Sequence, residues 1–226
     1  GIIGGTGSSK STLVQLIPRL YDTTIGEVKV GGENVKDYDL SYLRSNIGMV
    51  TQDTYLFNGT ILENLRYAKE DATMEEIEAA CRIANIHDFI VKQPNGYDTE
   101  VGERGVKLSG GQRQLVVIAR AVVQDADVIL MDEPTSSIDY QYIDRFIRYL
   151  NVLKERGKTI IFSCHNPSIP LLLNANVFVL ADGQLKYSGE ARTLLNQETL
   201  CRIYDCEFVS TSELPYNEYS IKPIDL

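Results

Sequence analysis

No stretch of this 226-residue sequence is apolar for long enough to cross a membrane as a helix. A membrane-spanning helix needs about 18 or more consecutive apolar residues, whereas apolar runs such as residues 177–180 have the length of buried strands. We therefore expect that any work at a membrane is done through a partner. The 43% share of hydrophobic residues is still enough for a substantial core.

Basic residues are scarce relative to acidic ones. The chain has 22 lysines and arginines against 31 aspartates and glutamates, which gives a formal net charge of -9. A protein that binds the phosphate backbone of nucleic acids normally presents a basic face. We therefore predict no nucleic-acid partner and interpret the acidity as a solvated surface.

Cysteine pairs with metal-binding spacing are missing as well. The four cysteines are Cys81, Cys164, Cys201 and Cys206, and none of them forms a CxxC pair or has paired histidines nearby in the sequence. This distribution favours reduced thiols over a metal site.

Strand-like and helix-like segments alternate along the chain, which is typical of an α/β domain with a largely parallel sheet. Residues 1–69 and 126–209 are predicted to form the sheet core. Residues 70–125 are predicted to be an inserted helical subdomain, with Thr73 and Glu76 as a capping box. Residues 210–226 show no clear period and are expected to be a loose C-terminal extension.

Residues 4–12 are close to the phosphate-binding pattern G-x-x-x-x-G-K-[ST]. They are Gly4, Gly5, Thr6, Gly7, Ser8, Ser9, Lys10, Ser11 and Thr12. Glycines let backbone N–H groups face phosphate oxygens, while Lys10 reaches the β- and γ-phosphates and the Ser11 hydroxyl can hold Mg²⁺. Ser9 stands where the pattern has glycine, and a positive φ there would cost about 1 kcal/mol.

A second segment with chemistry is the apolar run at residues 128–131, which ends in Asp132 and Glu133. In a nucleotide hydrolase the first carboxylate orders Mg²⁺, and the second can polarise the attacking water. Because the run follows a phosphate loop in the same chain, we predict these two roles here.

The most specific signal is Leu108-Ser109-Gly110-Gly111-Gln112, which resembles the signature motif of ABC ATPases. Other motifs of that family follow in its order along the chain: Gln52 stands at the glutamine loop, residues 133–139 at the end of Walker B and the D-loop, and His165 at the switch histidine. The resemblance implies a P-loop NTPase fold of ABC type, with a mixed sheet core and an inserted α-helical subdomain.

The same resemblance implies an ATPase that uses ATP and Mg²⁺. Its catalytic residues would be Glu133, His165 and Gln52, and its Mg²⁺ ligands Ser11, Gln52 and Asp132. The nucleotide would contact the phosphate loop and, across a head-to-tail dimer, Ser109, Gly110, Gly111, Gln112 and Asp139. The dimer would be a homodimer or a pair with a second ATP-binding domain. Transmembrane subunits or fused domains would be its partners, at the cytoplasmic side of the cell membrane.

The two ends of the chain resemble different ABC proteins. Residues 99–105 are similar to the X-loop of exporters, which touches the coupling helices of the membrane domain. From Asp139 onward the chain is less similar to exporters, and its last third, through residues 199–209, resembles importers of metal chelates and vitamins. In the family, an aromatic residue upstream of the phosphate loop stacks on adenine, and the sequence contains no such upstream segment. We therefore hypothesise a truncated or composite chain with weakened nucleotide affinity.

Two other functions stay open. One is a truncated or composite module that binds nucleotide or a partner without turnover. Ser9 and the missing aromatic residue that would stack on adenine favour this function. The other is a soluble ABC ATPase of the DNA-repair kind. That one is disfavoured, because those chains insert a long coiled coil before the signature and because the charge balance is acidic.

Overall fold

The structure, a computed structural model, describes residues 1–5, 7–136, 140–204, 208–211 and 218–221. Thr6 and Asp139, both predicted to contact nucleotide, lie outside the described residues, and so does Cys206. The chain divides into two compact units. The first unit comprises Gly1–Leu13 and Phe162–Leu226, and the second comprises Val14–Ile161.

The helices and strands follow one another in the alternation that the sequence predicts. The strands are β1 (Ile2–Ile3), β2 (Lys29–Val30), β3 (Glu33–Asn34), β4 (Ile47–Val50), β5 (Val128–Asp132), β6 (Thr159–Cys164), β7 (Asn176–Ala181), β8 (Gln184–Glu190), β9 (Phe208–Thr211) and β10 (Glu218–Ile221). The helices are α1 (Lys10–Leu16), α2 (Leu40–Ser45), α3 (Ile61–Arg66), α4 (Met74–Ile83), α5 (His87–Ile90), α6 (Gly110–Val123), α7 (Tyr140–Glu155), α8 (Ser168–Leu172), α9 (Ala191–Leu194) and α10 (Gln197–Tyr204). Across the described parts of the chain, no helix has both the length and the apolar content of a membrane span.

The first unit is built on a mixed sheet. β1 lies between the end of β6 and β7 and is parallel to both, and β7 pairs antiparallel with β8. Ile3, Val177 and Val179 are fully buried in this sheet. The parallel strands and the antiparallel hairpin confirm the predicted α/β fold with a mixed sheet.

The second unit combines parallel strands with a helical region. β4 pairs in parallel with β5, in a register that sets Val50 opposite Met131. The Thr159 N–H at the start of β6 donates to the Asp127 carbonyl at 2.8 Å. Helix α6 is buried over most of its length and packs against α3 and α4, because apolar residues occupy nearly its whole circumference. The boundaries at residues 70 and 125 remain a prediction.

The C-terminal tail differs from the expectation. β9 and β10 form an antiparallel pair in which Phe208 stands opposite Ile221, so the loose extension expected from residue 210 is wrong for these strands. A short hairpin of this kind is held by backbone hydrogen bonds. It therefore needs no periodic pattern of apolar residues, and the sequence showed none.

Candidate functional site

The phosphate loop surrounds the ammonium group of Lys10. Lys10 is the first residue of α1 and is only 5% exposed. Its Nζ donates to the carbonyl oxygens of Gly4 and Gly5, at 3.0 and 3.1 Å, and contacts Ser8 Oγ at 3.4 Å. A buried lysine needs such acceptors, because an unsatisfied ammonium is costly away from water. The loop therefore holds a positive charge at its centre.

The glycines of this loop differ in how much space surrounds the position of a Cβ atom. A Cβ on Gly4 would overlap the carbonyl oxygen of Leu180, so no larger residue fits there. Gly5 and Gly7 have no neighbouring atom within 4 Å of a Cβ position, and Gly7 has a φ of +79°. Their open faces, together with the central ammonium, fit a bound phosphate group.

Ser9 adopts the positive φ whose energetic cost was considered above. Its φ is +68°, in the left-handed region. Its carbonyl accepts from the Leu13 N–H at 3.1 Å, which starts the hydrogen bonding of α1. The serine is therefore retained in a glycine conformation. Ser11 and Thr12 follow in the first turn, partly exposed and exposed respectively.

The structure places Gln52, Asp132 and Glu133 at the same edge of the second unit. Because β4 and β5 are parallel with Val50 opposite Met131, Gln52 and the two acids follow strand ends that lie side by side. Asp132 is 2% exposed, whereas Gln52 is exposed. Glu133 is partly exposed and has a φ of +46°. The carboxyl ends of parallel strands are where ligands bind in α/β folds.

His165 lies in the first unit, directly after β6, with an exposed side chain. Its backbone carbonyl accepts a hydrogen bond of 2.7 Å from the hydroxyl of Tyr204, at the end of α10. This bond could not be predicted from the sequence, because the two residues are far apart along the chain and belong to no shared motif.

The signature residues form the first turn of α6 in the second unit. Ser109 is the N-cap, with its hydroxyl accepting from the Gln112 N–H at 3.2 Å, and Gln112 Oε1 accepts from the Ser109 N–H at 2.9 Å. This reciprocal pair is a capping box. Gly110 and Gly111 are partly exposed at the helix start, where the dipole favours an anion.

A cleft of about 210 Å³ opens elsewhere on the second unit. Its lining residues are Met49, Phe57, Tyr67, Ala68, Arg120, Ala121 and Gln124. The guanidinium carbon of Arg120 lies 6.0 Å from the centre of the Phe57 ring. Burial lowers the pKa of Arg120, and within the described part of the chain its Nη1 has no hydrogen-bond partner. The cleft thus combines aromatic walls with a guanidinium group.

Comparison with known proteins decides the family. Residues 1–136, more than half of the chain, match the family model described as ABC transporter. The chain belongs to the ABC transporter family. An uncharacterized ABC transporter ATP-binding protein, y4gM of Sinorhizobium fredii, is 41% identical over 212 residues, which are 93% of this chain and 36% of that protein.

Two further relatives are exporter-type proteins. The ATP-dependent lipid A-core flippase of Syntrophus aciditrophicus is 43% identical over 194 residues, 85% of this chain and 32% of the flippase. The structure of a bacterial Atm1-family ABC exporter with ATP bound superposes with a TM-score of 0.83 at 36% identity, covering 89% of this chain and 36% of that one. The chain spans about a third of the length of these relatives.

These matches confirm that the chain is an ABC ATP-binding domain, from a family of transport-coupled ATPases that bind ATP, and that it is similar to the ATP-binding domains of exporter-type proteins. The likeness to exporter proteins covers 85% to 89% of the chain. It therefore extends beyond Asp139, which weighs against a change of resemblance at that point. The importer-like character of the last third stays a prediction.

Proposed function

We propose that this ABC domain hydrolyses MgATP in a head-to-tail pair of ATP-binding domains and thereby drives transport through membrane-spanning helices of the same protein or of a partner. The observation that carries the proposal is the buried ammonium of Lys10 inside a glycine loop. The buried Asp132 and the adjacent Glu133, both at strand ends, support it.

Nucleotide binding is assigned to the phosphate loop. Lys10 would exchange its contacts with the Gly4 and Gly5 carbonyls for oxygens of the β- and γ-phosphates. Ser11, Gln52 and Asp132 would hold Mg²⁺, whose bound form neutralises phosphate charge and fixes the phosphate orientation. A serine hydroxyl, an amide oxygen and a carboxylate are all oxygen donors, which is the donor set that Mg²⁺ prefers.

Hydrolysis is assigned to Glu133 and His165. Glu133 would accept a hydrogen bond from the water that attacks the γ-phosphorus, and so orient that water in line with the leaving ADP oxygen. His165 and Lys10 would stabilise the negative charge on the transferred phosphoryl group. The bond from the γ-phosphorus to the bridging oxygen breaks as the bond to the water oxygen forms, leaving ADP and phosphate.

Pairing is assigned to the start of α6. Ser109, Gly110, Gly111 and Gln112 of one copy would contact the γ-phosphate held by the other, with Asp139 contributing from the D-loop. The partly exposed first turn of α6, with its dipole and capped conformation, supports this role. A site shared in this way makes turnover depend on the concentration of the domain.

The membrane partner is assigned to the cleft around Phe57, Tyr67 and Arg120. Aromatic walls suit an apolar helical segment, and the guanidinium of Arg120 suits a carboxylate on that segment. The cleft would then face the transmembrane domain, with the ATP-binding domain on the cytoplasmic side of the membrane.

Replacing Glu133 by Gln tests the proposal. The parent's rate of ATP hydrolysis per molecule should rise with protein concentration, because two domains build each site. Glu133→Gln should lower the rate by at least about a hundredfold, while an ATP-bound dimer accumulates on size-exclusion chromatography. Glu155→Gln, a change at an exposed residue at the end of α7, is the matched control and should keep the parent's rate.

A Glu133→Gln variant that hydrolyses ATP at the parent's rate would show that the assignment of Glu133 is wrong. Turnover that is absent at every concentration, with ATP binding retained, would select the second candidate, a module that binds nucleotide without turnover. The observation that favours this second candidate is strain at Ser9, because a residue other than glycine is held at a left-handed φ inside the phosphate loop.

A further inference from the structure

The side chain of Arg113 ties the start of α6 to the segment that precedes it. Arg113 lies in the first turn of the helix, and its Nη1 donates to the carbonyl of Leu108 at 2.7 Å and to that of Gly105 at 3.3 Å. Its own backbone N–H donates to the Ser109 carbonyl at 2.9 Å. Arg113 therefore hydrogen-bonds to Ser109 itself and to two residues that precede it in the chain.

The packing around Arg113 is close. Gly105 is buried with a φ of +74°, and a Cβ there would come within 2.8 Å of Arg113 Cδ and 3.1 Å of Leu56 Cδ1. On its other side, Arg113 Nη2 lies 3.9 Å from the Cβ position of Gly110. The guanidinium is thus fixed between a tight glycine turn and the glycine that opens α6.

The segment held by Arg113 is itself fastened to the start of α3. The Ile61 N–H donates to the Thr99 carbonyl at 3.0 Å, and the Val101 N–H donates to the Gly59 carbonyl at 2.9 Å. The Lys107 N–H returns to the Val101 carbonyl at 3.1 Å. Arg113 is the side chain that extends this backbone network to the signature turn.

We infer that Arg113 is a positioning residue, which fixes Ser109 and Gly110 for contact with the nucleotide of the partner domain. The inference rests on the proposed function for what Ser109 and Gly110 contact. It adds a residue outside the predicted site whose loss weakens pairing and leaves the phosphate loop intact. Arg113 acts through Ser109, and it holds no ATP itself.

The local part of the inference is tested without nucleotide. In Arg113→Met the two carbonyls lose a charged donor, so backbone amides of residues 105–112 should exchange hydrogen about tenfold faster by mass spectrometry. Arg113→Lys should recover part of the protection, because its ammonium can donate to one carbonyl at a time. Arg82→Met, which removes an exposed arginine paired with Glu78 at 2.6 Å, should leave exchange in residues 105–112 unchanged.

The functional part uses the Glu133→Gln background, in which ATP-bound pairs accumulate. Adding Arg113→Met should raise the protein concentration for half-pairing by about tenfold, with Arg113→Lys between the two. Binding of a fluorescent ATP analogue to dilute, unpaired protein should stay unchanged, because Lys10 and its loop lie elsewhere in the chain.

Unchanged exchange in residues 105–112 would overturn the inference, whatever the pairing result. Faster exchange with unaltered pairing would also overturn it, and so would loss of analogue binding in both Arg113 variants. If the Glu133→Gln protein never pairs with ATP, the proposed function fails instead, and the exchange measurement still decides whether Arg113 positions the signature turn.

Discussion

Two serines at the starts of two helices behave in opposite ways. Ser109 caps α6 with φ -64° and ψ 161°, and its side chain and that of Gln112 satisfy each other's backbone N–H groups. Ser9 precedes α1 with a φ of +68°, a conformation that costs a non-glycine residue about 1 kcal/mol. One serine lowers the energy of its turn, and the other raises it.

The difference shows how the two turns that we propose to bind nucleotide are built. In the signature, the side chains of the capping box stabilise the start of the helix, so the turn that we propose for nucleotide contact is formed in advance. In the phosphate loop, the backbone conformation is imposed by its surroundings, namely the close approach of Gly4 to Leu180 and the contacts of Lys10. Stability and function agree in the first turn and compete in the second.

The largest expected effect is a loss of ATP turnover in a Ser109 variant that keeps the helix cap but disturbs the proposed contact with the nucleotide. Aspartate is as good an N-cap as serine, but its charge would repel the γ-phosphate. Ser109→Asp should therefore melt at the parent's temperature and lose roughly a hundredfold in turnover, about 2.7 kcal/mol. Ser109→Asn, a neutral cap of similar size, is the control and should keep far more activity. Equal loss in both variants would mean that the charge is irrelevant.

An intermediate effect is expected in the phosphate loop at Gly4. Gly4→Ala places a methyl group against the Leu180 carbonyl, so urea unfolding should show a loss of about 2 kcal/mol. Gly5→Ala meets no atom within 4 Å and should change stability by less than about 0.5 kcal/mol. Similar losses at both positions would contradict the difference between a crowded and an open glycine.

The smallest effect is expected at Ser9. Ser9→Gly removes the left-handed strain of about 1 kcal/mol, partly offset by the greater freedom of glycine in the unfolded chain. A net gain of about 0.5 kcal/mol in the free energy of unfolding should remain. Ser9→Ala keeps the positive φ and should show no gain, so a gain in both variants would point to the hydroxyl and away from the backbone.

Features with local causes could be predicted from the sequence. The capping box of Thr73 and Glu76 is present in the structure, and Asp182 and Gly183, a pair typical of hairpin turns, join β7 to β8. The apolar run before Asp132 is β5. Each of these depends on residues only a few positions apart, so the sequence contains the whole cause.

Features with distant causes could not be predicted. The hydrogen bond from Arg113 to the Gly105 carbonyl depends on a turn that packs against Leu56. The segment before that turn is hydrogen-bonded to residues at the start of α3. The positive φ of Glu133 could not be predicted from its residue type, because glutamate rarely takes that conformation. The motif residues follow from the resemblance to ABC ATPases, and their roles in binding and hydrolysis stay predictions.

The hydrogen bond from Tyr204 to the His165 carbonyl constrains how this domain could be recombined with its relatives. A crossover between residues 165 and 204 would pair residue 165 of one parent with α10 of another, and a partner without a hydroxyl at position 204 would lose this hydrogen bond. Chimeras joined before residue 165 keep the bond intact. A chimera should therefore take residues 165–204 from a single parent, so that Tyr204 keeps its hydrogen bond to the backbone of His165.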